Sequence, residues 1–228
     1  MCHLNFAKYT PCDAADAMVA LGVSNGGAIP YLRQRSGPNN TVCGPAYTVE
    51  YAPLNDPRPA VKGHYIDSVP QGAVVLIATS KNSQLRAAPF TTLSNALYGG
   101  LMSTRAKFLG AAGSIVLGSI RDVAEHRALD YPVFSYNVGV CAPNKLAKVV
   151  AVNGPLVVGS DRQGDDLIVN PGDIIVADEN GVVSIPANKI EAALEYIPRR
   201  VAADTLAAKD ISSGVPAATA QKERRQGL

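Results

Sequence analysis

Apolar and polar positions along this chain change period several times, from helical to strand-like and back. Thr10-Pro11-Cys12-Asp13 predicts a helix start, with Thr10 as N-cap, Pro11 at the first helical position and Asp13 near the positive helix end. Ala17, Met18 and Leu21 give that helix an apolar face, and Gly22 ends it. Asp13 and Asp16 then read as cap and surface groups. Gly26-Gly27 and residues 33–40 read as polar loop. Residues 42–51 are rich in β-formers and predict a strand. Residues 60–68 suggest a short helix carrying His64 and Asp67, and residues 73–78 an apolar strand.

The middle of the chain, YGGLMSTRAKFLGAAGSIVLGSIRD over residues 98–122, organises the rest. Gly99 and Gly100 offer backbone conformations closed to other residues and precede a helical run. In that run Met102, Ala106 and Leu109 form one apolar stripe, and Gly110 and Gly113 end it. Residues 114–117 read as a short buried strand finishing at Gly118, with Arg121 and Asp122 just beyond. A short helix follows from Asp122. Its Glu125 and His126 lie three and four positions on, and His126 reads as half of an ordinary helix-surface pair with Asp122 in preference to a supporting partner for a metal-binding carboxylate.

Beyond residue 131 the pattern turns strand-rich, with apolar runs at 131–136, 147–152, 156–159, 167–169, 173–177 and 182–185. Residues 160–166 read as a hairpin loop, and Asn180-Gly181 between two apolar runs is a strong hairpin signal. Residues 186–197 start a final helix through Ile190, Leu194 and Ile197, which Pro198 should break or kink. Residues 202–208 form a second segment. The expected organisation is one α/β domain over residues 1–210, followed by a loosely ordered tail over 211–228 unless a neighbouring subunit holds it.

Composition narrows the function classes. The 228 residues suffice for one domain with a substantial core, and 47% hydrophobic with 18% charged residues is ordinary for a soluble globular protein. A net charge of +2 gives no electrostatic case for nucleic acid or an anionic membrane. The N-terminus has no basic-then-apolar secretory pattern, and no apolar stretch is long enough to span a bilayer. Cys2, Cys12, Cys43 and Cys141 show no metal-ligand spacing and read as reduced thiols in a cytoplasmic protein.

The candidate chemistry lies at the two ends of the central stretch. Amides of Leu101 and Met102, behind two glycines at a helix start, make an anion cradle. Arg121 offers a planar, two-pronged partner for a carboxylate or enolate oxygen, and Asp122 offers hard oxygen ligands for a divalent cation. The bland alternative is a glycine turn beside a surface ion pair.

Together, CDAADAM near the start, CGPAYTV, the GG…G…G…RD core and PGDIIVADENGVVSIP near the end cover roughly residues 10 to 195. In that order they resemble the RraA-like group, which includes class II 4-hydroxy-4-methyl-2-oxoglutarate aldolases and oxaloacetate decarboxylases. The resemblance implies a layered, swivelling β/β/α fold, usually assembled as trimers or pairs of trimers. It also implies a carbon–carbon lyase acting on a 2-oxo acid with Mg²⁺ or Mn²⁺. In this chain Asp122 would hold the metal, Arg121 would contact the developing oxyanion, and Gly99, Gly100, Leu101 and Met102 would bind substrate. Two positions depart from the family pattern: Gly100 stands where many aldolases carry an acid, and Leu117 where members commonly carry Asp. The catalytic base has no assignment, and Glu191 or Glu195 of a neighbouring subunit is one option. The alternatives are another reaction on the same scaffold and a non-enzymatic regulator that docks onto an RNA-degrading enzyme.

Overall fold

The computed structural model describes residues 5–159 and 166–228. Expectations for the loop at 160–165 therefore lie outside the described residues. The first helix, α1 (Pro11–Ala20), begins as its sequence dictates. Thr10 Oγ1 accepts the Asp13 amide at 3.2 Å, and Asp13 Oδ2 accepts the Thr10 amide at 2.9 Å, a reciprocal cap.

Among the described residues twelve strands follow, ten of them in one mixed sheet. They are β1 (Ala28–Ile29), β2 (Arg33–Ser36), β3 (Val42–Pro53), β4 (Val74–Thr79), β5 (Ala96–Tyr98), β6 (Gly113–Ile120), β7 (Val133–Val138), β8 (Ala147–Val152), β9 (Leu156–Val158), β10 (Leu167–Val169), β11 (Ile174–Asp178) and β12 (Gly181–Ile185). The sheet order is β1-β12-β11-β3-β4-β6-β7-β2, with β5 on β6 and β8 on β3, while β9 and β10 pair separately. Between the strands lie α2 (Gly100–Phe108) and α3 (Val123–Ala128), and α4 (Ile190–Ser212) and α5 (Ala217–Arg224) close the chain.

β3 explains the layering. Its first residues pair antiparallel with β11, and from Ala46 it pairs parallel with β4, so one long strand belongs to two sheet regions. β4, β6 and β7 continue the parallel part, β4 and β6 buried on both faces throughout and β7 over its first half. That double burial is why Val74–Thr79 reads as a continuous apolar run and not an alternating one. Val75, Ile77, Val116 and Val133 face a core shared with Met102, Ala106, Leu109 and Val123 of α2 and α3. Val74, Leu76, Ile115 and Phe134 face the opposite way, towards β9, β10, β11 and β12. A third core joins α1 and α4 to the outer side of β11 and β12.

Several expectations change here. Residues 33–36 form β2, not loop, because Arg33–Ser36 pairs antiparallel with the edge of β7. Only Tyr65–Ser68 within 60–68 is helical, as a single tight turn. β6 does not stop at Gly118 but runs to Ile120. Gly118 is there for spacing, since a Cβ on it would lie 3.0 Å from Leu97 Cδ1 on β5. Helix α4 passes through Pro198 without ending. Pro198 is exposed, so water can hydrate the carbonyl its missing N–H leaves free. Residues 211–228 hold the end of α4 and all of α5. Arg224 pairs with Asp210 at 2.7 Å and Arg225 with Asp204 at 2.5 Å, fastening α5 to α4.

Candidate active site

β5 and β6 are parallel neighbours, with Ala96 opposite Ser119 and Tyr98 opposite Ile120. The residues that follow them, Gly99-Gly100 and Arg121-Asp122, must therefore emerge side by side at the carboxyl ends of the strands. Such ends are where open α/β sheets hold ligands. The Arg121 amide donates to the Tyr98 carbonyl at 2.9 Å, which locks the two exits together. Gly99 is the N-cap of α2 and Asp122 the N-cap of α3.

Asp122 has φ 61° and ψ 40°, the left-handed region that Asp tolerates better than most residues. This turn swings its side chain away from its own helix and towards α2. Its Oδ2 accepts the Gly100 amide at 3.0 Å and lies 3.3 Å from Arg121 Nε. The carboxylate of one helix start thus caps another. The predicted anion cradle is partly occupied as a result: Gly100 N–H serves Asp122, and Met102 N–H donates to the Gly99 carbonyl at 3.0 Å. Leu101 N–H is left without a hydrogen-bond partner among the described residues, and the Leu101 side chain is 73% exposed.

The two glycines serve space, not backbone freedom. Gly99 has an ordinary extended φ of −144°, and Gly100 opens a helix without a positive φ. A Cβ on Gly99 would lie 2.7 Å from Asp122 Oδ2 and 3.2 Å from Arg121 Nε. One on Gly100 would lie 2.6 Å from Glu125 Cδ. The charged groups of the site stand where these side chains would be.

His126 is not a surface residue. It is fully buried, its ring centroid 5.8 Å from that of Tyr98 in a stacked arrangement. The i+4 spacing from Asp122 was correctly read, but α3 is short and this turn faces the sheet. Neither ring nitrogen has a well-formed hydrogen bond. Burial pushes the imidazole below its ordinary pKa of 6.5, opposed by the Arg121 backbone and the charges of Asp122 and Glu125. Beneath it, Tyr98 Oη and Ser114 Oγ lie 2.8 Å apart and Ser114 Oγ and Tyr131 Oη 3.1 Å apart, a buried hydroxyl chain. Burial raises the Tyr98 phenol to about 12, so it stays neutral at physiological pH.

The sequence placed Gly99, Gly100, Leu101, Met102, Arg121 and Asp122 in one site, and the structure brings them together. Glu125 joins them unannounced; its only sequence signal was the i+3 spacing from Asp122. Glu191 and Glu195 are exposed on α4, in the layer built with α1, and not beside α2 and α3.

The donor set fits some cations better than others. Among the described residues no three His, Cys, Asp or Glu side chains gather into a cage. One or two carboxylates with room for water and ligand oxygens suit Mg²⁺ or Mn²⁺, and not a closed Zn²⁺ or Ca²⁺ site.

The family model described as RraA-like (Aldolase/RraA) matches residues 11–184. The chain belongs to the RraA-like family. The "Putative 4-hydroxy-4-methyl-2-oxoglutarate aldolase" of Halalkalibacterium halodurans is 30% identical over 186 residues, 82% of this chain and 79% of that protein. Protein DlpA of Legionella pneumophila is also 30% identical, over 181 residues that make up 78% of this RraA-like chain but 26% of DlpA. Among solved structures, an uncharacterized protein from Pseudomonas syringae superposes with TM-score 0.77 at 24% identity, covering 96% of both chains. RraAS2 of Streptomyces coelicolor, an unusual member of the RNase ES inhibitor RraA family, gives 0.71 at 20% identity, over 93% of this chain and 96% of that one. These likenesses establish the RraA-like α/β fold. No helix among the described residues is long and apolar enough to cross a membrane.

Proposed function

We propose that this RraA-like protein is a divalent-metal-dependent lyase that cleaves a carbon–carbon bond in a 2-oxo acid by way of a pyruvate enolate, in retro-aldol cleavage or decarboxylation. One observation carries the reading: Arg121 and Asp122 stand together at the carboxyl end of β6, with the Asp122 carboxylate on the Gly100 amide that opens α2, one residue before Leu101. The aldolase name of the Halalkalibacterium halodurans relative supports it.

Each group has a task that follows from its chemistry. Asp122 would hold the cation through the oxygen not used to cap α2, with Mg²⁺ or Mn²⁺ keeping much of its hydration. The bound cation supplies Lewis-acid stabilisation of negative charge on the oxo oxygen. The Leu101 amide, at the positive end of α2, binds the substrate carboxylate. Arg121 is steered by its Nε contact to Asp122, which leaves the two terminal nitrogens to receive the oxygen on which enolate charge develops. The Gly100 amide fixes the Asp122 carboxylate and the Tyr98 carbonyl fixes the Arg121 backbone, which limits the reorganisation needed as charge appears.

Arg121 and Asp122 are about one-third exposed, so the site is open in a single chain. Assembly into a homo-oligomer, a trimer or a pair of trimers, would cover it and exclude water. Light scattering at micromolar concentration tests the assembly. Pyruvate release from oxaloacetate by metal-stripped protein, before and after Mn²⁺ is added, tests the activity.

A further inference from the structure

Gly100 is buried, and the space its side chain would occupy is already filled by a residue from another helix. A Cβ there would lie 2.6 Å from Glu125 Cδ, 2.9 Å from Glu125 Cβ and inside the van der Waals envelope of Glu125 Oε2. Glu125 comes from the first turn of α3, three residues after Asp122. Its carboxylate therefore stands against the residue whose amide binds Asp122 Oδ2, one residue from the open Leu101 amide. Among the described residues the Glu125 side chain makes no hydrogen bond or ion pair. It is exposed to solvent and stands against Gly100, at the start of α2.

We propose that Glu125 is the proton-transfer group of this site in the retro-aldol branch of the lyase reading, on which the proposal rests. The Glu125 carboxylate takes the proton of the substrate's C4 hydroxyl. The C3–C4 bond breaks, its electron pair passes into the enolate held by Arg121, and C4 leaves as a carbonyl. Protonated Glu125 then gives that proton to C3, whose electron pair forms the new C–H bond. Pyruvate and the free carboxylate result, with every proton and electron pair accounted for. Gly100 has no side chain because any side chain there would push this group out of place.

Exchange of the pyruvate methyl protons for deuterium in D₂O, followed by proton NMR with Mn²⁺ present, reads the C3 proton transfer without any bond cleavage. Calorimetric Mn²⁺ binding is measured on the same samples. Wild type is expected to bind Mn²⁺ and exchange. Glu125→Gln, a change at an exposed position, is expected to bind Mn²⁺ as wild type does and exchange on the order of 100-fold more slowly, the usual scale of acid–base catalysis. Gly100→Ala is expected to slow exchange with Glu125 still present. Exchange at the wild-type rate in Glu125→Gln overturns the assignment and leaves the lyase reading standing. Loss of Mn²⁺ binding in that variant also overturns it, since the carboxylate is then a ligand. Wild type that neither binds Mn²⁺ nor exchanges overturns the lyase reading, and the assignment with it.

Discussion

Asp122 Oδ2 accepts the Gly100 amide at 3.0 Å, so the carboxylate proposed to hold the cation also caps helix α2. The two roles separate by substitution. Asp122→Ala removes both and should lower stability by about 1 kcal/mol, the cost of a lost cap. Asp122→Asn keeps an acceptor for the amide and should fold with nearly wild-type stability. Metal-dependent turnover should fall on the order of 100-fold or more in both. Urea denaturation beside a turnover assay checks this. Equal stability losses in both variants would show that the cap is not what Asp122 supplies.

Arg121 Nε lies 3.3 Å from Asp122 Oδ2, so the contact to the carboxylate uses Nε and not the two terminal nitrogens. A lysine ammonium is a single point charge and cannot make that contact while leaving a two-pronged donor free. Arg121→Lys should lower kcat/KM for a 2-oxo acid on the order of 100-fold. Activity within about twofold of wild type would mean that charge alone suffices.

Gly100→Ala sets up to about 1 kcal/mol of helix propensity against a close approach that side-chain rotation cannot relieve. The Glu125 carboxylate can swing aside, but a Cβ at Gly100 would still lie 2.9 Å from Glu125 Cβ, which moves only with α3. The melting temperature should therefore fall. Activity should drop on the order of 100-fold, because a displaced catalytic group costs rate far more than stability. A variant that loses stability in proportion to activity would point to a packing role for this position.

His126 makes stability depend on pH. Its folded pKa lies below the ordinary 6.5, so between the two values the unfolded chain holds a proton that the folded chain does not. Stability should rise with pH through that window, be complete above about pH 6.5 and be lost as pH falls towards the folded value. His126→Leu removes a buried ring without well-formed hydrogen bonds and should flatten this slope. At neutral pH it should leave stability unchanged or raise it by about 1 kcal/mol. Thermal melts from about pH 5 to pH 8 check it. Parallel slopes in variant and wild type would exclude His126 as their source.

The parts of this site written in local chemistry were legible in the sequence. The Thr10-Pro11-Asp13 cap, the Asn180-Gly181 hairpin and the β4 run depend on neighbours a few residues away, and each formed as read. Arg121 and Asp122 could be placed near Gly99 because a strand end and a helix start flank them. Burial of His126 was not legible, because a six-residue helix turns either face to the core with equal local propensity. Nor was the reason for Gly99 and Gly100. Sequence alone suggests backbone freedom, whereas the structure shows ordinary φ values and close approach of Asp122, Arg121 and Glu125. Such proximity comes from the parallel pairing of β5 with β6, a contact across more than twenty residues that no local pattern encodes.

Metal-stripped protein given oxaloacetate, with pyruvate followed before and after Mn²⁺ is added, tests the central claim most directly. The account predicts little turnover without metal, a rate with Mn²⁺ well above that of the same ions in buffer, and its loss in Asp122→Asn. Wild type and Asp122→Asn both matching Mn²⁺ free in solution would contradict it and favour a non-enzymatic role for this RraA-like chain.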